Sequence, residues 1–193
     1  MIRRNYGHDR ELMKTISERV MKPAFMYASE IWGEKAENKH QQRHINAAQR
    51  PLLLQINRTY STTPTLALQS MAGTPPWWLE AKVYNKNCQS NKLKIQEARA
   101  RMINRSHPTQ RHQDALPRAR TESKERRKSN QQCIMNEWQI IWNRGETGRD
   151  MYEHCMEIGN DRLDLNFKAA QLMTNHGNML AYLNRFRLKD TNQ

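Results

Sequence analysis

Only two valines, Val20 and Val83, occur in 193 residues, and no run alternates apolar and polar side chains over six or more positions. A half-buried strand needs that two-residue alternation and favours β-branched side chains, so little here could build a sheet. What recurs instead is helical spacing cut by proline and glycine. The chain is expected to be all-α: a helical bundle, one long helix, a basic flexible linker and a small C-terminal helical subdomain. With 37% hydrophobic residues and a mean hydropathy of −1.02, its core should be small and its connectors polar.

The segments follow from their punctuation. Residues 9–21 set Leu12, Ile16 and Val20 at i, i+4 and i+8, one helical face, with Asp9 as N-cap. In "PAFMYASEIWG", Pro23 suits a first helical position and Gly33 the residue past the end, and the apolar residues between them run nearly all round, as in a buried helix. Residues 37–58 carry Ile45, Ala48, Leu52 and Ile56 on a stripe that Pro51 should kink or break. A short helix follows, capped by Ser61, Thr62 or Thr63, with Pro64 in its first turn and Gly73 as its stop. From Trp77 to Met102 the spacing of Trp77, Ala81, Tyr84, Cys88, Ile95, Ala98 and Met102 predicts one long helix. Order resumes with the stripe Ile134, Trp138, Ile141 and Trp142, then a glycine-containing loop. A helix capped by Asp164 and a closing helix around Met179–Phe186 come last.

Charge is concentrated. The net charge is +13, yet residues 91–130 alone hold twelve lysines and arginines against four acids. Within that stretch residues 103–130, with two prolines, no aromatic and almost no aliphatic residue, read as a flexible basic linker over 105–130 or as a weakly ordered helix. The division expected is 1–104, 105–130, 131–188 and a polar tail at 189–193. A basic excess of this size favours a polyanion partner. The cations that should meet phosphate are Lys82, Lys86, Lys92, Lys94, Arg99 and Arg101 on the long helix and Arg118, Arg120, Arg126, Arg127 and Lys128 beyond it. Lys14, Arg19, Arg43 and Arg50 are further candidates, with solvated helix faces as the plain alternative. Trp77 and Trp78 could stack on bases or anchor the core.

Reaction chemistry is sparse. The six aspartates are scattered with no pair at two-metal spacing, and no Gly-rich phosphate loop, G-x-S-x-G or H-E-x-x-H occurs. His154 and Cys155 are adjacent potential zinc ligands without a second pair, and His176 has no nucleophile or acid near it in sequence. No metal or cofactor is therefore expected. Three cysteines, Cys88, Cys133 and Cys155, form no C-x-x-C pair and fit a reducing intracellular compartment. No window approaches the length of a membrane span and no signal-peptide core is seen, so neither membrane nor secretion is expected.

Three blocks together carry a resemblance. "KPAFMYASEIWG" resembles the P-x-x-x-Y-G-x-E-x-W segment that follows the polymerase palm in non-LTR (LINE-type) retrotransposon polyproteins, nearest the arthropod group of ribosomal-DNA-inserting, Jockey-like and I-like elements. "AAQRPLLLQINRTYSTTPTLALQSMAGTPPWWLEA" is similar to that family's Q-R-x-x-L … A-G-x-x-P-L block. "EWQIIWNRGETGRDMY" and "QLMTNHGNMLAYLNRF" are similar to its W-x-x-x-W-x-x-x-x-x-G-R-x-T and Q-x-L-T-G-H-G-x-F-x-x-Y-L-x-R-F blocks. The matching positions are Pro23, Tyr27, Trp32, Gln49, Arg50, Gly73, Pro76, Trp138, Trp142, Gly148, Arg149, Gln171, His176, Gly177, Tyr182, Leu183 and Phe186. Departures include Asn175 where the family has glycine, Met179 for an aromatic, and a shuffled Asn57–Ser61.

The resemblance implies a helical thumb and post-polymerase region, with the endonuclease and the palm's aspartate pair upstream and a zinc knuckle downstream. It further implies partners in RNA, RNA–DNA duplex and an upstream polymerase domain, in nucleus and cytoplasm. A non-catalytic helical adaptor for a protein partner is the other reading, which methionine-rich amphipathic helices permit. In "TNHG", Gly177 should turn one helix into the next and His176 should sit in the last turn, beside the carbonyl end of the helix dipole.

Overall fold

The computed structural model describes residues 9–103, 115–176 and 183, apart from the side chains of 98, 99, 101–103 and 115–123. Among them the secondary structure is helical throughout, with no strand. The first helix, α1 (Arg10–Ile16), begins after Asp9, which caps by position but makes no side-chain bond to the turn. A π-turn over Ser17–Met21 and α2 (Lys22–Met26) continue it, with Pro23 in the first turn of α2. The expected Leu12–Ile16–Val20 face is not the buried one: Leu12 is 47% and Val20 58% exposed, whereas Met13 and Ser17 are buried. A π-turn winds more residues into each turn, so an i, i+4, i+8 pattern running through it cannot stay on one side.

The buried helix expected from Pro23 to Gly33 is two short pieces. Ala28 takes a left-handed conformation (φ 56°) and separates α2 from α3 (Ser29–Trp32), leaving Tyr27 83% and Ile31 77% exposed. Gly33 is the residue just past α3, as expected, with a right-handed backbone (φ −62°). It opens a 3-10 turn (Gly33–Glu37) and lets this segment press on the next long helix, for a Cβ there would stand 2.8 Å from the Ala81 carbonyl oxygen. Phe25, Trp32 and Trp77 close this corner, with ring centroids 5.2 and 5.1 Å from Phe25.

Asn38 caps α4 (Lys39–Asn57) by accepting from the His40 amide at 2.9 Å. Pro51 lies inside α4 without breaking it. Its ring costs one backbone bond, but Leu53 and Ile56, on the following turn, are fully buried and hold the helix together across the gap. A turn leads to α5 (Thr65–Ala72), where Pro64 rather than a serine or threonine occupies the cap position. Gly73 stops α5 with φ 59°, as expected, and no other residue fits: a Cβ there would lie 2.4 Å from the Asp161 carbonyl oxygen.

The long helix α6 (Trp77–Ile103) is one unbroken element, as its spacing predicted. The basic stretch after it takes the helical alternative: residues 115–130 are the first half of α7 (Ala115–Arg144), and 105–114 lie outside the described residues. After the glycine loop come α8 (Arg149–His154) and α9 (Phe167–Thr174). Asn166, not Asp164, caps α9, accepting from the Ala169 amide at 2.8 Å.

One apolar core joins both ends of the chain. Met13 of α1, Leu53 and Ile56 of α4, Leu68 and Met71 of α5, Trp142 of α7, Met151 of α8 and Ala170 of α9 pack together. Described residues from Met13 to Met71 and from Trp142 to Ala170 thus meet in one core. Removing Trp142 from such a site should cost about 3–5 kcal/mol.

Candidate nucleic-acid interface

The α6–α7 pair forms the charged limb. Lys82 Nζ lies 3.0 Å from Glu137, and Arg126 donates to the Asn91 side chain at 2.7 Å, so the two helices run antiparallel with these residues facing. The same register sets Lys94 of α6 about level with Lys124 of α7. Around that level the described side chains, 92–97 of α6 and 124–129 of α7, are exposed.

The candidate cations fall into three kinds. Lys82 is occupied: it bridges Glu137 at 3.0 Å and Glu37 at 3.5 Å, pinning α6 to α7 and to the 3-10 turn. Burial pulls its ammonium pKa down, but these two carboxylates more than offset it and the net shift is upward. Lys86 shares Glu37 at 3.5 Å and Lys92 reaches Glu30 at 3.8 Å, both as exposed, weak pairs. Lys94, Arg127 and Lys128 are exposed with no carboxylate in ion-pair range among the described residues, and Lys124, which the sequence reading counted but did not single out, joins them. Lys124, Arg127 and Lys128 stand at i, i+3 and i+4, one stripe of α7. Arg99, Arg101, Arg118 and Arg120 belong to the same two helices, but their side chains lie outside the described residues.

Other candidates are absorbed by architecture. Trp77 is buried and Trp78 packs on Ala36, Ile45 and Trp77, so both anchor the core. Arg50 donates to Thr65 Oγ1 and the Thr63 carbonyl, both at 2.7 Å, and burial lowers its pKa. Among the described residues no three His, Cys, Asp or Glu side chains gather as a metal group, and no helix is long and apolar enough to cross a membrane.

The positions that carry the resemblance are largely joints. Gln49, fully buried, donates to the Pro75 carbonyl at 2.9 Å and accepts from Gln69 at 2.9 Å and from the Trp77 amide at 3.4 Å. Pro76 accepts from the Leu79 amide and so opens α6. Trp138 and Trp142 are buried, and Trp142 donates to the Cys155 carbonyl at 2.8 Å. Gly148 is left-handed at φ 78°. Arg149 then caps the carbonyl end of α7, donating to Trp142, Asn143 and Gly145 at 3.1–3.3 Å, with its guanidinium 3.7 Å over the Tyr152 ring. Pro23 and Tyr27 are exposed, and Trp32 donates to the Tyr27 carbonyl.

The corner at His176 differs from expectation. Asn175 takes the left-handed conformation (φ 49°) directly after α9. The His176 amide donates back to the Gln171 carbonyl at 3.1 Å and the Asn175 amide to Leu172 at 3.1 Å, the paired closure of a helix end. His176 therefore stands past the helix, its ring hydrogen-bonded to the Thr174 carbonyl, rather than in the last turn. Gly177, Tyr182 and Phe186 lie outside the described residues, and of Leu183 only a half-buried helical residue is described. Ala28 and Asn175 occupy positions where the resembling segments carry a glycine that this chain lacks, and both have positive φ. The backbone keeps a turn that glycine would make more cheaply.

Along nearly its whole length the chain is similar to retrotransposon proteins, and its homologues are those of R1-type non-LTR elements. One is the putative 115 kDa protein in type-1 retrotransposable element R1DM of Drosophila melanogaster, 25% identical over 198 residues that take in 99% of this chain and 18% of the relative. Another is the retrovirus-related Pol polyprotein from type-1 retrotransposable element R1 3 of Nasonia vitripennis, 22% identical over 194 residues, or 95% of this chain and 48% of the relative. The chain thus spans less than half the length of either relative. No protein-family model and no solved structure matches it. It is similar to part of a retrotransposon polyprotein.

Proposed function

We propose that the chain is the helical region that follows the polymerase palm in an R1-type polyprotein, and that its α6–α7 limb grips RNA and RNA–DNA duplex during target-primed reverse transcription. The observation that carries this reading is the stripe of exposed Lys124, Arg127 and Lys128 beside Lys94, with no carboxylate partner among the described residues. Such cations bind phosphate without reading bases, and affinity then falls steeply with salt. The catalytic groups of polymerase and endonuclease belong elsewhere in the polyprotein, so the isolated chain should neither extend a primer nor cut a strand. The polymerase domain is the natural neighbour in the same polyprotein, working in the nucleus after translation in the cytoplasm.

Filter binding of the full chain to random-sequence RNA and to RNA–DNA duplex tests the grip. Micromolar or tighter binding at 50 mM salt, lost by about tenfold or more at 200 mM, is expected. Reversing Lys124, Arg127 and Lys128 to glutamate should lower the affinity and flatten the salt slope by about 2–3. No binding at 50 mM salt ends the proposal, and primer extension by the purified chain contradicts its second part. A second reading, a helical adaptor for a protein partner, draws on the adjacent exposed Tyr27 and Ile31. A partner retained after nuclease treatment would favour it.

A further inference from the structure

The first turns of α4 hold a group that the proposed function does not use. His40 and His44 stand four residues apart on the exposed side of the helix, both open to solvent. Their rings approach with centroids 4.5 Å apart at 66°. Their Nε2 atoms, the outer nitrogens, face each other at 3.4 Å. Two imidazole nitrogens bound to one tetrahedral zinc at about 2.0–2.1 Å would be separated by about 3.3 Å. The separation of the two nitrogens matches the edge of a coordination tetrahedron, and both rings are open to water.

We propose that His40 and His44 form a two-histidine chelate for a borderline transition-metal dication of the nickel, copper and zinc group. The helix supplies the preorganisation: residues at i and i+4 share a face and lie one turn apart, so both ligands arrive without bending the backbone. Asn38 fixes that turn by capping the His40 amide. A direct hydrogen bond between the rings is the competing arrangement, and on an exposed surface it must compete with water, which leaves it a small net stabilisation. A metal displaces that one bond and uses both lone pairs.

Charge selects which metal. Lys39 and Arg43 flank the pair on the same helix, and the amino end of α4 is itself positive. A hard cation such as magnesium, held by charge and oxygen ligands, is repelled here. Copper, nickel and zinc, held through imidazole nitrogen, tolerate the site, in the order set by nitrogen affinity.

The test uses the full chain titrated with Cu²⁺, Ni²⁺ or Zn²⁺ alone, read by calorimetry and by retention on an immobilised-copper column. One metal per chain is expected, with no response to Mg²⁺, and His40→Ala or His44→Ala should each weaken binding by at least about tenfold. Both positions are solvent-facing, so these variants should keep the wild-type helical circular dichroism. A third variant, His44→Gln with Gln42→His, keeps the histidine count at seven but moves the second ring to i+2, on the opposite side of the helix. Loss of binding there supports chelation. Binding that survives in that variant, or is unchanged in His40→Ala and His44→Ala, overturns it, as does absence of binding in the wild type.

Discussion

The two ends of α7 lie in opposite environments. Near its carboxyl end Trp138 and Trp142 are fully buried and Arg149 caps the last carbonyls, while around residues 124–129 every side chain is exposed. The same contrast runs along α6, from buried Trp77, Leu79, Ala81 and Val83 to exposed Leu93 and Ile95. One half of this hairpin belongs to the core and is specified by packing. The other presents exposed charge, and the Arg126–Asn91 hydrogen bond joins its two helices.

The sharpest way to break that comparison is to truncate one apolar side chain in each half. Trp142→Ala should cost about 3–5 kcal/mol in urea denaturation, whereas Leu93→Ala, already 60% exposed, should move stability by less than about 0.5 kcal/mol. Equal costs would mean that the limb is packed against something in the isolated chain. Next comes the buried amide joint. Gln49→Ala strips the Pro75 carbonyl, the Trp77 amide and Gln69 of a partner at once, and a loss of about 2–3 kcal/mol is expected from the same measurement.

Lys82 marks the border between the halves, and its effect is smaller. Lys82→Met should cost about 1 kcal/mol at neutral pH, in keeping with a pair that water still reaches. Its folded pKa lies above the ordinary 10.5, so the native state holds this proton more tightly than the unfolded chain does. The stabilisation is therefore fully present below about pH 10 and fades as pH rises through the raised value. The gap between wild type and variant in denaturant midpoint should stay constant from pH 6 to 9 and close only in stronger alkali; a gap that closes near neutrality would assign the stabilisation to another group. The smallest effect tests the backbone alone. Ala28→Gly removes a left-handed Cβ penalty of about 1–2 kcal/mol and adds unfolded-state freedom, for a net gain of about 0.5 kcal/mol in thermal unfolding. A loss there would mean that the Ala28 methyl packs usefully.

Much of the candidate limb was legible because its signals are local. Charge density pointed to residues 91–130, and spacing to a helix from Trp77 that the structure bears out. The proline- and arginine-rich run leaned toward a linker because low aliphatic content hides a helix whose register is fixed elsewhere. The carboxyl half of α7 docks two tryptophans, and the preceding turns propagate from that anchor. Which lysines are spent on the fold was not legible at all. Lys82 and Lys94 read alike in sequence, yet only Lys82 meets Glu37 and Glu137, 45 and 55 positions away along the chain.

By itself the sequence determined the all-α class, the long α6, the glycine stop at Gly73, the tryptophan stripe of α7 and the likeness to non-LTR retrotransposon polyproteins. These rest on periodicity, on residues with unusual backbone freedom and on motif order, all of which a single strand of text contains. The tertiary structure alone decided that Met13 and Ser17 face inward, that Pro51 leaves α4 whole, that Asn175 turns the chain after α9, and that Gln49 and Arg50 are joints. Each of those outcomes depends on which distant residues arrive at the same place, and burial and hydrogen-bond satisfaction are properties of that meeting.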